Sequence, residues 1–380
     1  MRGLRDAIVV IPGTRWEDTQ GTDHRLAQAL SEHCQVLWVD PPVPFAGPAR
    51  VLRPAGAGFA HLDQLQESII RLRYLVAPGF TRPGLDLLAK ALRDAAMLRA
   101  QRRLGLRVQA TLLLSPRDEF PAGSTGERLL HVTDDWVQGA AMMGLGPRQV
   151  RRRLAKNLAE ADQVSAVSPY LERVLHEVDS KALVQVVPNG CTVLYPQGQG
   201  SCPAPESTGK VVLLGQLNER LDMAVLQQLA ASGLPIEVIG PRRERDPVAV
   251  AGLDRFLAAE NVQWHGEVAP GEVPALLAGA MVGITPYLDN EFNRASFPLK
   301  TLDYLAAGLA VVSTDSPAVR WLDTPFIRVA GSPEHFVELA GQLAAGGAQG
   351  SDRQRRIDFA NGHSWQARAA SLIGRIKVQA

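Results

Sequence analysis

Ser296, Leu299 and Lys300 bracket Phe297-Pro298 at the head of a short segment with one apolar face. Leu299, Leu302, Leu305 and Ala306 recur at helical spacing. Proline is tolerated in a helix's first turn, and Gly308 stands where a helix-ending glycine belongs. Ala310-Val-Val-Ser313 then reads as a buried strand. Ser296, Leu299 and Lys300 thus stand at a helix N-terminus, whose free N–H groups and dipole favour an anion. Lys300 adds a full charge. The chemistry that suits these residues is holding a phosphate.

A second set is acidic. Leu129-Leu-His-Val132 reads as a strand that runs into Thr133-Asp134-Asp135-Trp136. Acidic residues at the carboxyl end of a parallel strand lie where open α/β sheets bind ligands. Either aspartate could instead cap the turn that follows. His265 falls in a strand that looks buried and reads as structural.

These residues need two α/β layers to position them. Ala7-Ile-Val-Val-Ile-Pro12, Val36–Val39, Arg71–Val76, Thr111–Leu114, Leu129–Val132, Gln163–Pro169 and Val184–Val187 read as strands. Helices are expected from Thr22 or Asp23, over Leu85–Leu106, Arg148–Ala161 and Tyr170–Val178. No G-x-G-x-x-G is present, so the dinucleotide fingerprint is absent. Pro41–Gly58 reads as a surface loop. Tyr195–Thr208 is rich in Gln, Gly, Pro and Ser and reads as a linker. Gly209-Lys210 after it is not a P-loop, because Ala204 and Val211 break that pattern.

A second set of strands and helices follows, from Lys210–Gly215 through Ile236–Pro241, Val262–Gly266 and Met281–Tyr287. Alternating elements argue a parallel, doubly wound sheet. The domains read as 1–192, linker 193–209, 210–361, and a terminal amphipathic helix over 362–380.

Composition narrows the function classes. The 380 residues carry a net charge of +1, with 21% charged and 46% hydrophobic. That fits a globular α/β protein and excludes a nucleic-acid-binding tail or a disordered chain. Cys34, Cys191 and Cys202 are odd in number and far apart, which fits neither a disulfide framework nor a metal site. No apolar run reaches the ~18 residues of a membrane span. Met1–Arg5 leads straight into a strand without a signal-peptide pattern, so a cytoplasmic location is expected. A long basic helix with Lys90, Arg93, Arg99, Arg102 and Arg103 could be a solvated face or could attract an anionic membrane.

Pro-Leu-Lys-x-x-Asp-Tyr-Leu-Ala-Ala-Gly, followed by Val-Val-Ser, resembles the donor-binding segment of GT-B glycosyltransferases. It is most similar to the bacterial branch of the xanthan glucuronosyltransferase and teichuronic-acid-type transferases, with Asp303 in place of a glutamate. The opening order of strand, Trp16 loop, helix, strand and Asp40-Pro-Pro resembles that branch too, and the progression that ends in Val-Pro-Asn-Gly190 resembles the exit from the N-terminal domain of GT-B transferases in general. The resemblance implies a GT-B fold of two Rossmann-like domains with a cleft between them and a closing helix that crosses back. It implies a transferase acting on a nucleoside-diphosphate sugar and a hydroxyl acceptor, lipid-linked or small, with no metal and no nucleic acid.

On that likeness Lys300 and the Ser296 region hold the diphosphate. Gly215 leaves room for it, Arg220 adds a cation, and Tyr287 packs on base or ribose. Asp303 receives ribose hydroxyls, and Glu291, Asn293 and Arg294 lie in the loop that meets the sugar. The Glu-x7-Glu pattern of retaining relatives would need a glutamate at Ala295, so inversion is expected. The base is then Asp134 or Asp135, with His24 as the alternative. Two rival readings are a nucleotide-sugar epimerase and an inactive module that binds a nucleotide-sugar or a partner.

Overall fold

A computed structural model describes residues 4–18, 20–46, 58–82, 84–141, 143–195, 209–346 and 350–376. The expected linker lies outside the described residues except at its ends, as do most of the 41–58 loop, Cys202 and the end of the terminal helix. The chain divides into two compact units. One gathers the residues up to Val167, Leu171–Val187 and those from Arg368. The other gathers Ser168–Tyr170 and Pro188–Ala367.

In chain order, the first part comprises β1 (Arg5–Ile11), α1 (Thr22–Ser31), β2 (Gln35–Val39), β3 (Val43–Pro44), β4 (Ala60–Gln66), β5 (Ile69–Val76) and α2 (Leu85–Leu104). Then come β6 (Leu106–Leu113), β7 (Glu127–Val132), α3 (Pro147–Glu160), β8 (Gln163–Ala166), α4 (Pro169–Val178) and β9 (Val184–Val186). The sheet order is β3-β5-β2-β1-β6-β7-β8-β9, with β4 antiparallel on β5. Strands β1 and β2 are near-continuous apolar runs because helices cover both faces of such a sheet. Strand β4 is a polar hairpin arm, His61-Leu-Asp-Gln, with no apolar alternation to announce it. Sequence order reverses between β1 and β6, which puts a ligand crevice at their carboxyl ends.

The second part comprises β10 (Val211–Leu214), α5 (Met223–Ala231), β11 (Ile236–Ile239), α6 (Pro247–Leu257), β12 (Val262–Trp264), α7 (Val273–Ala278) and β13 (Val282–Thr285). Then come α8 (Glu291–Ala295), α9 (Leu299–Ala306), β14 (Ala310–Thr314), α10 (Pro317–Leu322), β15 (Ile327–Ala330), α11 (Pro333–Ala345), α12 (Gly350–Asn361) and α13 (Trp365–Ile373). Its six strands are all parallel, in the order β12-β11-β10-β13-β14-β15. This is the doubly wound order, reversing between β10 and β13. Val211, Leu213, Val238, Ile284 and Val312 form its core with Leu226, Leu229, Phe256 and Phe336 from the helices.

Two expectations change. Glu291, Asn293 and Arg294 sit on the short helix α8 and not in a loop, because the Asn290 side chain caps it through the Asn293 N–H. His265 lies just past the edge strand β12, partly exposed and paired with Glu237, so it is not a core histidine.

Candidate functional site

In the second unit the site grows from the carboxyl end of β10. Gly215 has φ +138° and the neighbouring Gly240 has φ +142°, conformations that side chains rarely adopt. A Cβ on Gly240 would lie 1.9 Å from the Gly215 carbonyl oxygen. The two strand ends therefore meet this closely only because residue 240 is glycine. A Cβ on Gly215 would only touch the Lys300 stem, at 3.8 Å. Backbone conformation explains this glycine better than a need for empty space.

Helix α9 brings Lys300 over that turn. Gly308 has φ +79°, and the Leu309 N–H reaches the Tyr304 carbonyl at 2.9 Å while the Gly308 N–H reaches Leu305 at 2.9 Å. The helix thus ends in the left-handed glycine cap its sequence promised. At its other end the N–H groups of Leu299 and Lys300 belong to the first turn, where no intrahelical acceptor exists. Lys300 Nζ lies 3.2 Å from the Asp303 carboxylate, which is buried. Asp303 therefore orients Lys300 in addition to any role toward ribose. Ser296 departs from its expected place. It caps the end of α8, is buried, and donates its hydroxyl to the Phe292 carbonyl at 3.1 Å.

Tyr304, given no role of its own in the sequence, holds this corner together. Strands β10 and β13 pair only at Val211 and Val212. Beyond that the Tyr304 hydroxyl enters the gap, accepting from the Leu214 N–H at 2.7 Å and donating to the Ile284 carbonyl at 3.2 Å. Gly283 makes room, since a Cβ there would lie 2.2 Å from the ring. Tyr304→Phe would leave the Leu214 N–H buried without its acceptor, and should cost about 1–3 kcal/mol. Urea unfolding checks this, as a lower midpoint at unchanged m-value.

Arg220 is held from three sides. Its Nε donates to Asn293 Oδ1 at 2.8 Å, and its guanidinium lies 5.3 Å from the Tyr287 ring centre and 5.1 Å from that of Phe292. Asn293 in turn donates to the carbonyls of Arg220 and Leu288. The terminal guanidinium nitrogens have no hydrogen bond among the described residues. They border a small hollow with Pro298, Ser313 and Thr314. Tyr287 is thus a platform for Arg220, its backbone pinned by Thr314 at 3.1 and 2.7 Å. Glu291 is exposed at the start of α8. Asn293 is the residue the sequence underrated; a buried amide anchored to an arginine 73 positions away leaves no local signal.

In the first unit, the loop after β1 is stitched to its neighbours. Arg15 donates to the carbonyls of Pro41 and Pro42 at 3.1 and 2.9 Å, and the Trp16 N–H reaches Asp40. Arg71 joins Asp40 to Glu17. The tryptophan loop and Asp40-Pro-Pro, widely separated in sequence, form one structure.

His24 is not the alternative base. It is fully buried, packed between Trp16 and Trp38 with ring centres 5.3 and 4.9 Å away. Its Nε2 donates to the carbonyls of Arg15 and Trp16, and burial pushes its pKa down. Enclosed between two indoles, the imidazole offers no open face to an acceptor hydroxyl. Asp135 is buried too, and its Oδ1 accepts both the Val137 and Gln138 N–H at 3.0 Å. It caps the turn after β7. Asp134 is half-buried at the same strand end.

Asp23 is the unexpected member. Its Oδ2 takes the Gly13 N–H at 2.8 Å beside the β1–β6 reversal. Burial pushes its carboxyl up to about 6, and the charge of Asp134 adds to the rise. The unfolded chain gives up this proton near 3.8. Stability from the protonated form is therefore present at low pH and lost as pH rises through 6. Asp23→Asn keeps an acceptor for Gly13 and should stabilise the protein at pH 7, by up to about 3 kcal/mol, and change little at pH 4. Equal shifts in melting temperature at both pH values would rule out charge burial as the cause.

Among the described residues no three His, Cys, Asp or Glu side chains are placed to hold a metal ion. No described helix is long and apolar enough to cross a membrane.

Comparison with known proteins agrees with this geometry. Residues 210–345 match the family model of glycosyl transferases group 1. Over 94% of both chains the sequence is 26% identical to TuaH of Bacillus subtilis, described as a teichuronic acid biosynthesis glycosyltransferase. The fold is similar to sucrose-phosphate synthase from Thermosynechococcus elongatus, with TM-score 0.68, 14% identity, and 97% and 98% of the chains covered. It is likewise similar to Anabaena HepE in complex with UDP and glucose, with TM-score 0.65, 13% identity, and 97% and 98% covered.

Proposed function

From the premise that this chain is a glycosyltransferase of the GT-B fold, we propose that it moves a sugar from a nucleoside-diphosphate sugar to a hydroxyl acceptor, with inversion and without a metal. The observation that carries the reading is Lys300, poised by Asp303 over the Gly215 turn at the reversal between β10 and β13. The first-turn N–H groups of α9 and the open fork of Arg220 add to it. Such fixed donors and cations oppose the charge that grows on a leaving diphosphate.

Asp134, the less buried of the two aspartates at the carboxyl end of β7, then takes the acceptor proton. The acceptor oxygen forms the bond to the anomeric carbon. The bond from that carbon to the diphosphate oxygen breaks, its electron pair stays on the diphosphate, and the proton ends on Asp134. Ala295, standing where retaining relatives need a glutamate, favours inversion. HepE was solved with UDP and glucose, so a uridine nucleotide is the first donor to try. Polysaccharide biosynthesis at the inner face of the cytoplasmic membrane is the setting this reading favours.

The test is a thermal-shift panel of UDP, GDP, TDP and their sugars. One nucleotide should raise the melting temperature, because a ligand that binds only the native state stabilises it by mass action. The shift should vanish in Lys300→Ala. No shift with any of them in folded protein overturns the donor site.

A further inference from the structure

Helix α2 shows apolar side chains to solvent as well as to the sheet. Its buried side carries Ala89, Ala96, Met97 and Ala100 against the sheet, and it encloses a guanidinium, Arg93, bound by Asp94 and Asp118. Three of its leucines point the other way, while Met97 is buried and Leu85, Leu92 and Leu104 are half-buried. Leu87, Leu88 and Leu98 are 66%, 49% and 47% exposed. Small residues inside explain how the helix sits close to its strands, but nothing in the packing asks for leucine outside. Isolated exposed leucines need no explanation; three on one helix face beside a charge cluster do.

The charge on that face is of one sign. Arg99, Arg102 and Arg103 are exposed and make no ion pair among the described residues. At 3.6 residues per turn, the three leucines and three arginines fall within an arc of roughly 160° and span about 24 Å. The acids of the helix lie off that arc and are spent, Asp86 on Lys90 and Asp94 on Arg93. The face therefore offers apolar side chains for insertion and guanidinium groups for phosphates. An anionic lipid headgroup layer over an acyl boundary matches both at once, and a helix lying in that plane is the usual form of such contact.

We propose that the outer face of α2 docks the first unit on an anionic membrane surface. The proposal does not depend on the donor reading, which is tested separately by nucleotide binding. Each arginine near an anionic surface adds about a fivefold preference. The leucines convert loose attraction into insertion.

The experiment is vesicle flotation with the full chain. Vesicles of phosphatidylglycerol mixed with phosphatidylcholine are compared with phosphatidylcholine alone, at low and high salt. Binding should need the anionic lipid and weaken with salt. Arg99→Gln, Arg102→Gln and Arg103→Gln together should weaken it on the order of 100-fold. Leu87→Ser, Leu88→Ser and Leu98→Ser together should abolish it. All six positions are on the surface, so both variants should keep the parent's melting temperature and its nucleotide-induced shift. No binding to anionic vesicles, or equal binding by parent and variants, overturns the proposal. So does sedimentation showing that the parent is a dimer and the leucine variant a monomer, which would assign the face to a second copy.

Discussion

Lys300→Ala should lower the rate of sugar transfer by roughly 10²–10³-fold, the usual cost of removing one group that stabilises transition-state charge. The geometry makes the lysine hard to replace. Its stem rests on the Gly215 turn and its Nζ is set by a buried carboxylate. Alanine removes the charge, the packing and the partner of Asp303 together. Lys300→Met separates them, because methionine keeps most of the stem and only loses the charge. Both variants should lose transfer alike, while methionine keeps more of the stability. The nucleotide-induced thermal shift should disappear in both. If Lys300→Met retains transfer within a fewfold of the parent, the charge is not the working feature and the donor site lies elsewhere.

The second large effect separates two neighbouring aspartates. Asp134→Asn should reduce kcat by about 10²–10⁴-fold, the range for losing a positioned base, with nucleotide binding unchanged. Asp135→Asn should leave transfer near the parent's, because an amide oxygen can still accept from Val137 and Gln138. Asp135→Ala, which removes the cap, should cost on the order of 1 kcal/mol of stability, with only a secondary effect on rate. Product anomer analysis by NMR, run beside the rates, tests inversion. The reverse outcome, an inactive Asp135→Asn beside an active Asp134→Asn, would transfer the base to Asp135 and make its capping bonds a device for aiming it.

Much of this was legible from residues alone, for a local reason. Strand runs such as Ile8–Ile11 and Val211–Leu214 are apolar throughout because both faces of a parallel sheet are covered. Gly308 announces the end of α9 because its positive φ is a property of glycine itself. Lys300 at a helix start needed only the helical spacing after it and the proline before it. The polar arm β4 and the short helix α8 lacked such periodicity, and were missed or taken for loop.

Partnership and burial were not legible. Asp134 and Asp135 are chemically the same in sequence; only the turn after β7 commits one of them to capping. His24 looked like a base until Trp16 and Trp38 closed around it. Tyr304 had no role of its own in the sequence, and became the hydroxyl that spans the gap between β10 and β13. Arg220 owes its position to Asn293, and Asp23 its raised proton affinity to burial beside another acid. Local conformation depends on neighbours a few positions away, and so it is written in the sequence. Desolvation and hydrogen bonding depend on residues brought together from far along the chain, and they exist only once the chain has folded.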